Sequence, residues 1–160
     1  MRKDINIYIG GDHAGYKIKG LIKEKLDRLG LKCTDFGPKE FVPTDDYPDF
    51  LHDLAYNMSR SILDGKNVIA LIFSGSGMGE SIVLNRYTGI RCGVFYSNSE
   101  SVVKNFVEHD NINALSLGCR FVSYEEIWKA INTFLNTEFS NSERFVRRIK
   151  KIDSMNKNND

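Results

Sequence analysis

The sequence predicts a single three-layer α/β/α domain built on a five-stranded parallel sheet. Three observations carry this. Short apolar runs alternate with segments of helical period along the whole chain, the pattern left by repeated right-handed strand–helix crossovers. The run Val68–Phe73 (VIALIF) is continuously apolar, as a central strand covered on both faces must be. Glycine-rich turns follow the first and third strands, at Gly10-Gly11 and Ser74–Gly79, where an open parallel sheet places its ligands.

Each element has its own signal. Ile5–Ile9 reads as the first strand, stopped by Gly10-Gly11. Ile18, Leu21, Ile22, Lys25, Leu26 and Leu29 then share a helical face, Lys25 through its apolar stem, and Gly30 closes the helix. Leu31–Phe36 is the second strand, ended by Gly37-Pro38. A loop of turn formers and charge runs from Pro38 to Asp46. Pro48 suits the first turn of the next helix, which turns Leu51, Leu54, Ala55, Met58 and Ile62 inward.

Val68–Phe73 is the third strand, and its glycine-rich turn opens directly into a short helix. Ile90–Phe95 is the fourth strand. Ser97 and Glu100 form a capping box for a helix carrying Val102, Val103, Phe106 and Val107. Ala114–Leu117 is the fifth strand. Ser123 and Glu126 cap a helix through Ile127, Ala130, Ile131, Phe134 and Leu135. A last helix begins near Asn141 or Ser142 and packs Phe145, Ile149 and Ile152. No repeat or linker divides the chain. Residues 1–155 are therefore read as one Rossmann-like domain, and 156–160 as a fraying polar tail.

Composition narrows the function classes. With 22 Lys+Arg against 21 Asp+Glu, the net charge is +1, so no global field recruits nucleic acid or an anionic membrane. The segment from Asn141 on is the exception, with Arg144, Arg147, Arg148, Lys150, Lys151 and Lys157 against Glu143, Asp153 and Asp160. Cys33, Cys92 and Cys119 are an odd, widely spaced set in apolar runs. They read as buried free thiols of a reducing compartment. No segment has the roughly 18 apolar residues of a membrane span, and the expectation is a soluble, cytoplasmic chain.

The residues that follow the strands carry the chemistry. In Ser74-Gly75-Ser76-Gly77-Met78-Gly79-Glu80 the glycines let consecutive N–H groups converge on an anion where a helix begins. The spacing departs from the dinucleotide fingerprint and lacks the Lys-Ser/Thr of a phosphate loop. Glu80 suits the helix dipole, and beside those donors it can also serve as a general base facing an oxyanion hole. Asp12-His13 after the first strand reads either as a helix cap with a surface histidine or as a proton-handling pair. His109 lies near a strand end; His52 sits within the second helix as a bystander. A metal site from His13, His109 and a carboxylate lacks close ligand spacing, so no metal is assigned. Arg144 and Arg148 share a helical face, as a solvated basic surface or a phosphate clamp. Together these parts point to an anionic small molecule and to cofactor-free proton chemistry beside a carbonyl.

Gly10–Gly15 (GGDHAG), Asp46-Tyr47-Pro48-Asp49, Ser74–Glu80, Asn85-Arg86 with Gly89-Ile90-Arg91, Glu108-His109-Asp110-Asn111, and Phe134–Phe139 followed by Arg144 and Arg148 together resemble the type B ribose-5-phosphate isomerase family, in order from about Ile5 to Ile152. The resemblance implies a homodimer, in some members a tetramer, with active sites between subunits. It also implies interconversion of ribose 5-phosphate and ribulose 5-phosphate through an enediolate. Some members use a cysteine at the position of Ser74 and others a glutamate at that of Glu80; this chain looks like the glutamate kind. By the same resemblance His109 opens the sugar ring, Asp12, His13, Tyr47, Ser74 and Asp110 contact substrate, and Gly75, Ser76, Gly77, Met78 and Gly79 wrap the C1–C2 end. Arg120, Arg144 and Arg148 hold the phosphate. Asp110 stands where the family usually has asparagine, and Phe145 where it often has histidine. The rival readings are an isomerase of six-carbon sugar phosphates and a non-catalytic sugar-phosphate sensor.

Overall fold

A computed structural model describes residues 5–96 and 99–155. Strands and helices alternate along them: β1 (Asn6–Gly11), α1 (Tyr16–Arg28), β2 (Cys33–Asp35), α2 (Tyr47–Leu63), β3 (Val68–Ser74), α3 (Met78–Leu84), β4 (Cys92–Phe95), α4 (Ser101–Asp110), β5 (Ala114–Gly118), α5 (Tyr124–Asn136) and α6 (Glu143–Met155). The strands pair in parallel in the order β2-β1-β3-β5-β4. The chain leaves β1 toward β2 and returns on the other side to β3, so the winding reverses between β1 and β3. The crevice at the carboxyl ends of those two strands is the ligand position of a doubly wound sheet.

Strand alternation sorts the core into two layers. Ile7, Ile9, Ile69, Leu71, Phe73, Leu115 and Leu117 meet Ile22 and Leu26 of α1, Val103 and Val107 of α4, and Ile127, Ile131 and Phe134 of α5. The intervening Val68, Ala70, Ile72 and Ala114 meet Leu51, Leu54, Ala55 and Met58 of α2 and Leu84 of α3. All of β3 is buried, which explains its unbroken apolar run. Pro48 stands in the first turn of α2. The α5 capping box is closed, with the Glu126 carboxylate accepting the Ser123 N–H at 2.7 Å and Ser123 Oγ accepting the Glu126 N–H at 3.3 Å.

The structure corrects several expectations. The second and fourth strands are shorter than their apolar runs because they are the sheet edges, held by one neighbour each. α4 begins at Ser101 with Glu100 at its N-cap and no side-chain cap; Ser97, the other half of the expected box, lies outside the described residues, as does the 156–160 tail. On α1, Leu21 and Leu29 are exposed, Leu21 because it lies about 100° around the helix from Ile22 and Leu29 because it is the C-cap. Lys19 is buried in their stead, its Nζ donating to both oxygens of Asp35 at 2.7 and 2.9 Å. On α6 only Phe145 is buried and Ile152 is exposed, because this helix lies against α4 rather than on the sheet. The three cysteines are half-buried and free.

The Lys19–Asp35 pair ties α1 to the end of β2. Removing the cation leaves a carboxylate that keeps only 22% of its side chain exposed. Lys19→Ala is expected to destabilise the fold by about 2–3 kcal/mol, measured by urea unfolding. Asp35→Ala in the same chain should recover part of that loss.

Candidate active site

The site starts from how closely β1 and β3 meet. Beyond the last ladder pair the Asp12 N–H still bonds the Phe73 carbonyl, at 3.2 Å. A Cβ at Gly15 would lie 2.0 Å from that same oxygen, so only glycine lets α1 begin here. Asp12 is largely buried, and its Oδ1 accepts the N–H groups of Ala14 at 2.9 Å and Gly15 at 3.2 Å. His13, next in the chain, places Nδ1 2.5 Å from Asp45 Oδ1 on the β2–α2 loop.

Across the crevice β3 turns into α3. Gly77 adopts φ 80°, a conformation that favours glycine, and its carbonyl accepts from Ser116 Oγ of β5 at 2.8 Å. Ser74 is fully buried. Its Oγ accepts the Gly77 N–H at 3.1 Å and donates to the Glu80 carboxylate. The hydroxyl predicted to touch substrate is therefore occupied in orienting Glu80. Two of the loop amides are likewise engaged, Gly77 by Ser74 and Met78 by Ser76 Oγ at 3.3 Å. The amides of Gly75, Ser76 and Gly79 make no hydrogen bond among the described residues and remain as donors.

Glu80 is 3% exposed. Burial pushes its carboxyl above the usual carboxylate range, and the charges of Asp12 and Asp45 push the same way. Hydrogen bonds from its own amide and from Ser74 oppose the shift without cancelling it. A carboxylate so placed is a stronger proton acceptor than a solvated one. The Tyr47 hydroxyl lies over Gly79, 2.6 Å from where a Cβ would stand there. The Arg120 guanidinium lies over Gly75, 3.4 Å from the corresponding point, and its amide donates to the Gly75 carbonyl at 3.1 Å. Asp12, His13, Tyr47, the Ser74–Glu80 loop and Arg120 are thus brought together at one end of the sheet.

His109, Asp110, Arg144 and Arg148 are not among them. His109 and Asp110 close α4 ahead of β5, whereas Arg120 follows β5. The five residues of β5 separate the two ends by roughly 17 Å. His109 stacks on Phe145 with ring centroids 4.4 Å apart, and the Arg144 guanidinium lies 4.4 Å from the centre of the same ring. Phe145 therefore gathers a second, cationic cluster at the amino end of the sheet. Asp110 borders a cleft of about 460 Å³ beside Arg91. No group of three or more His, Cys, Asp or Glu among the described residues could hold a metal ion.

Cys92 and Cys119 lie near Glu80, but burial pushes both thiols up to about 12, which leaves them protonated and poor nucleophiles. Asp45 and Ser116 were not singled out from the sequence. Asp45 adjoins the Asp46-Tyr47-Pro48-Asp49 motif, a signal of position if not of role. Ser116 carries no signal, since a serine in a buried strand reads as filler.

A desolvated carboxylate set beside free amide donors is the arrangement that proton transfer next to a carbonyl requires, the chemistry of an isomerase. Residues 7–152 match the family described as Ribose/Galactose Isomerase. The ribose-5-phosphate isomerase B of Mycobacterium tuberculosis is 32% identical over 145 residues, covering 91% of this chain and 86% of the relative. The crystal structure of ribose-5-phosphate isomerase B from Mycoplasma genitalium with bound ribulose-5-phosphate superposes with a TM-score of 0.88 at 31% identity, covering 98% of this chain and 99% of the other. The Thermotoga maritima ribose 5-phosphate isomerase gives 0.82 at 32% identity, covering 96% and 99%. The chain belongs to the ribose/galactose isomerase family.

Because burial favours the neutral form of Glu80, the folded state holds this proton to higher pH than the unfolded chain does. The stability contributed by Glu80 therefore falls as pH rises from 4.5 through its raised value. Glu80→Gln is expected to melt a few degrees above the wild type at pH 8, the gap closing toward pH 4 in a thermal-denaturation series.

Proposed function

We propose that the chain interconverts ribose 5-phosphate and ribulose 5-phosphate, with Glu80 as the base that moves a proton between C2 and C1. The observation that carries this is the placement of Glu80: buried, oriented by Ser74 and raised in basicity at the switch point of the sheet. The Gly75, Ser76 and Gly79 amides stabilise the oxygen of the enediolate as it gains charge. Asp12, His13 and Tyr47 hold the sugar, and Arg120 reaches the phosphate from the rim. The reaction is redox-neutral and is proposed to need no cofactor or metal.

The remaining groups come from a second copy of the chain. His109, which donates the proton that opens the furanose, and the phosphate-holding Arg144 and Arg148 stand at the far end of the sheet from Glu80 in any one copy. The largely uncovered α6, with Ile152 and Met155 exposed, offers the surface for pairing. A homodimer with shared sites is therefore part of the proposal, as is a cytoplasmic location, which suits three free cysteines.

Purified protein incubated with ribose 5-phosphate and a chelator is expected to form ribulose 5-phosphate. Glu80→Gln should lower kcat by about 10³-fold or more; wild-type turnover in that variant would overturn the base assignment, and turnover of only a six-carbon sugar phosphate would change the substrate.

Sharing of the site is read separately. Glu80→Gln and His109→Asn chains, each inactive alone, are expected to recover about a quarter of wild-type activity when unfolded and refolded together, since half the dimers are mixed and each holds one intact site. No recovery in a mixture shown to contain mixed dimers would place both residues in one chain's site.

A further inference from the structure

The sequence places two aspartates side by side before α2, and the structure treats them differently. Asp46 is the exposed N-cap of the helix and makes no side-chain cap. Asp45 is turned inward, with 4% of its side chain exposed, and its Oδ1 meets His13 Nδ1 at 2.5 Å. Its other oxygen, Oδ2, is buried with no hydrogen-bond partner among the described residues. A buried carboxylate oxygen left unpaired is costly, so its retention beside the site calls for a role.

The loop that carries Asp45 is fastened. The Gly37 N–H donates to Asp35 Oδ1 at 2.9 Å, and that carboxylate is held by the buried Lys19. Tyr16 Oη donates to the Lys39 carbonyl at 3.1 Å. Phe41 sets its ring against Tyr16 and edge-on to His13, with centroids 6.1 and 6.5 Å away. His13 is thus held at Nδ1 by a carboxylate and at its side by an aromatic ring. Nε2 makes no hydrogen bond among the described residues.

We propose that Asp45 is a positioning residue for the isomerisation, holding His13 as the Nδ1–H tautomer so that Nε2 accepts a hydroxyl of the bound sugar phosphate. The proposal rests on the isomerase reading above. Among the described residues the His13 Nδ1 is the one side-chain donor that meets the Asp45 carboxylate, and an ionised carboxylate can only accept there. The neighbouring Asp12 is turned to its own helix start, its Oδ1 accepting the Ala14 and Gly15 amides, and it makes no hydrogen bond to His13 among the described residues. Asp45 on the loop is the charged group in contact with the ring among the described residues, and Asp45 and Asp12 both act on Glu80 of α3.

The tautomer can be read without substrate. In the full chain carrying ¹⁵N-histidine, at a pH where the ring is neutral, His13 (assigned by loss of its signals in His13→Gln) should show a protonated Nδ1 and a bare Nε2. In Asp45→Asn the tautomer population should move toward Nε2–H, and kcat for ribose 5-phosphate should fall about 100-fold. The double variant Asp45→Asn with His13→Gln should be no slower than His13→Gln alone, because Asp45 acts through His13. A wild-type ring with its proton on Nε2, or losses that multiply in the double variant, would overturn the proposal. If Asp45→Asn fails to fold, the wild-type spectrum decides. A wild type inactive on ribose 5-phosphate would overturn the isomerase reading, and with it the substrate half of this proposal, while the spectrum still decides the tautomer.

Discussion

The rest of the site depends on the ladder between β1 and β3. Its six register pairs run from Asn6↔Val68 to Gly11↔Phe73, and the Asp12 N–H extends it by one more bond to the Phe73 carbonyl. Strands in such a ladder lie about 4.8 Å apart. Whatever follows β1 must therefore stand beside whatever follows β3. That is why an aspartate–histidine pair and a glycine loop, some 60 residues apart in the chain, face one crevice. The two-layer core then removes Glu80 from water, since α3 lies on the sheet through Leu84.

Charge is divided across the molecule as a result. Asp12, Asp45 and Glu80 crowd the carboxyl edge of the sheet with Arg120 above them, while Arg144 and His109 gather around Phe145 at the amino edge. An anionic substrate set against three carboxylates alone would be repelled. The cluster at the amino edge carries the opposite charge, and a net charge of only +1 for the whole chain conceals both. Phe145 is an aromatic platform that gives His109 a flat partner and Arg144 a cation–π contact.

Much of this was legible beforehand. The strand–helix alternation gives the layers, and the apolar run of β3 gives the sheet centre. Glu80 could be picked out because a carboxylate in the first turn after a glycine loop has a physical reason to be there. The misses have physical reasons too. Helical periodicity measures direction around an axis and not whether anything lies opposite, so it turns Leu21, Leu29 and Ile152 inward although all three are exposed. Lys19 was invisible because its partner, Asp35, lies on another element 16 residues away. The separation of His109 from Glu80 was hidden because both stand near strand ends, and only topology says which end. Asp45 was passed over for its neighbours in the Asp46-Tyr47-Pro48-Asp49 motif.

The state of the cysteines has a consequence for the conditions the protein tolerates. Burial raises Cys33 to about 11 and Cys92 and Cys119 to about 12, so at physiological pH all three are thiols, the form that reacts sluggishly with peroxides and alkylating electrophiles. Where the resembling family's other kind carries cysteine, this chain has Ser74, which cannot be oxidised in that way. Proton transfer by a carboxylate is indifferent to ambient redox potential. With Glu80 as the proposed base, turnover depends on no group that oxidation would silence as it silences a thiolate.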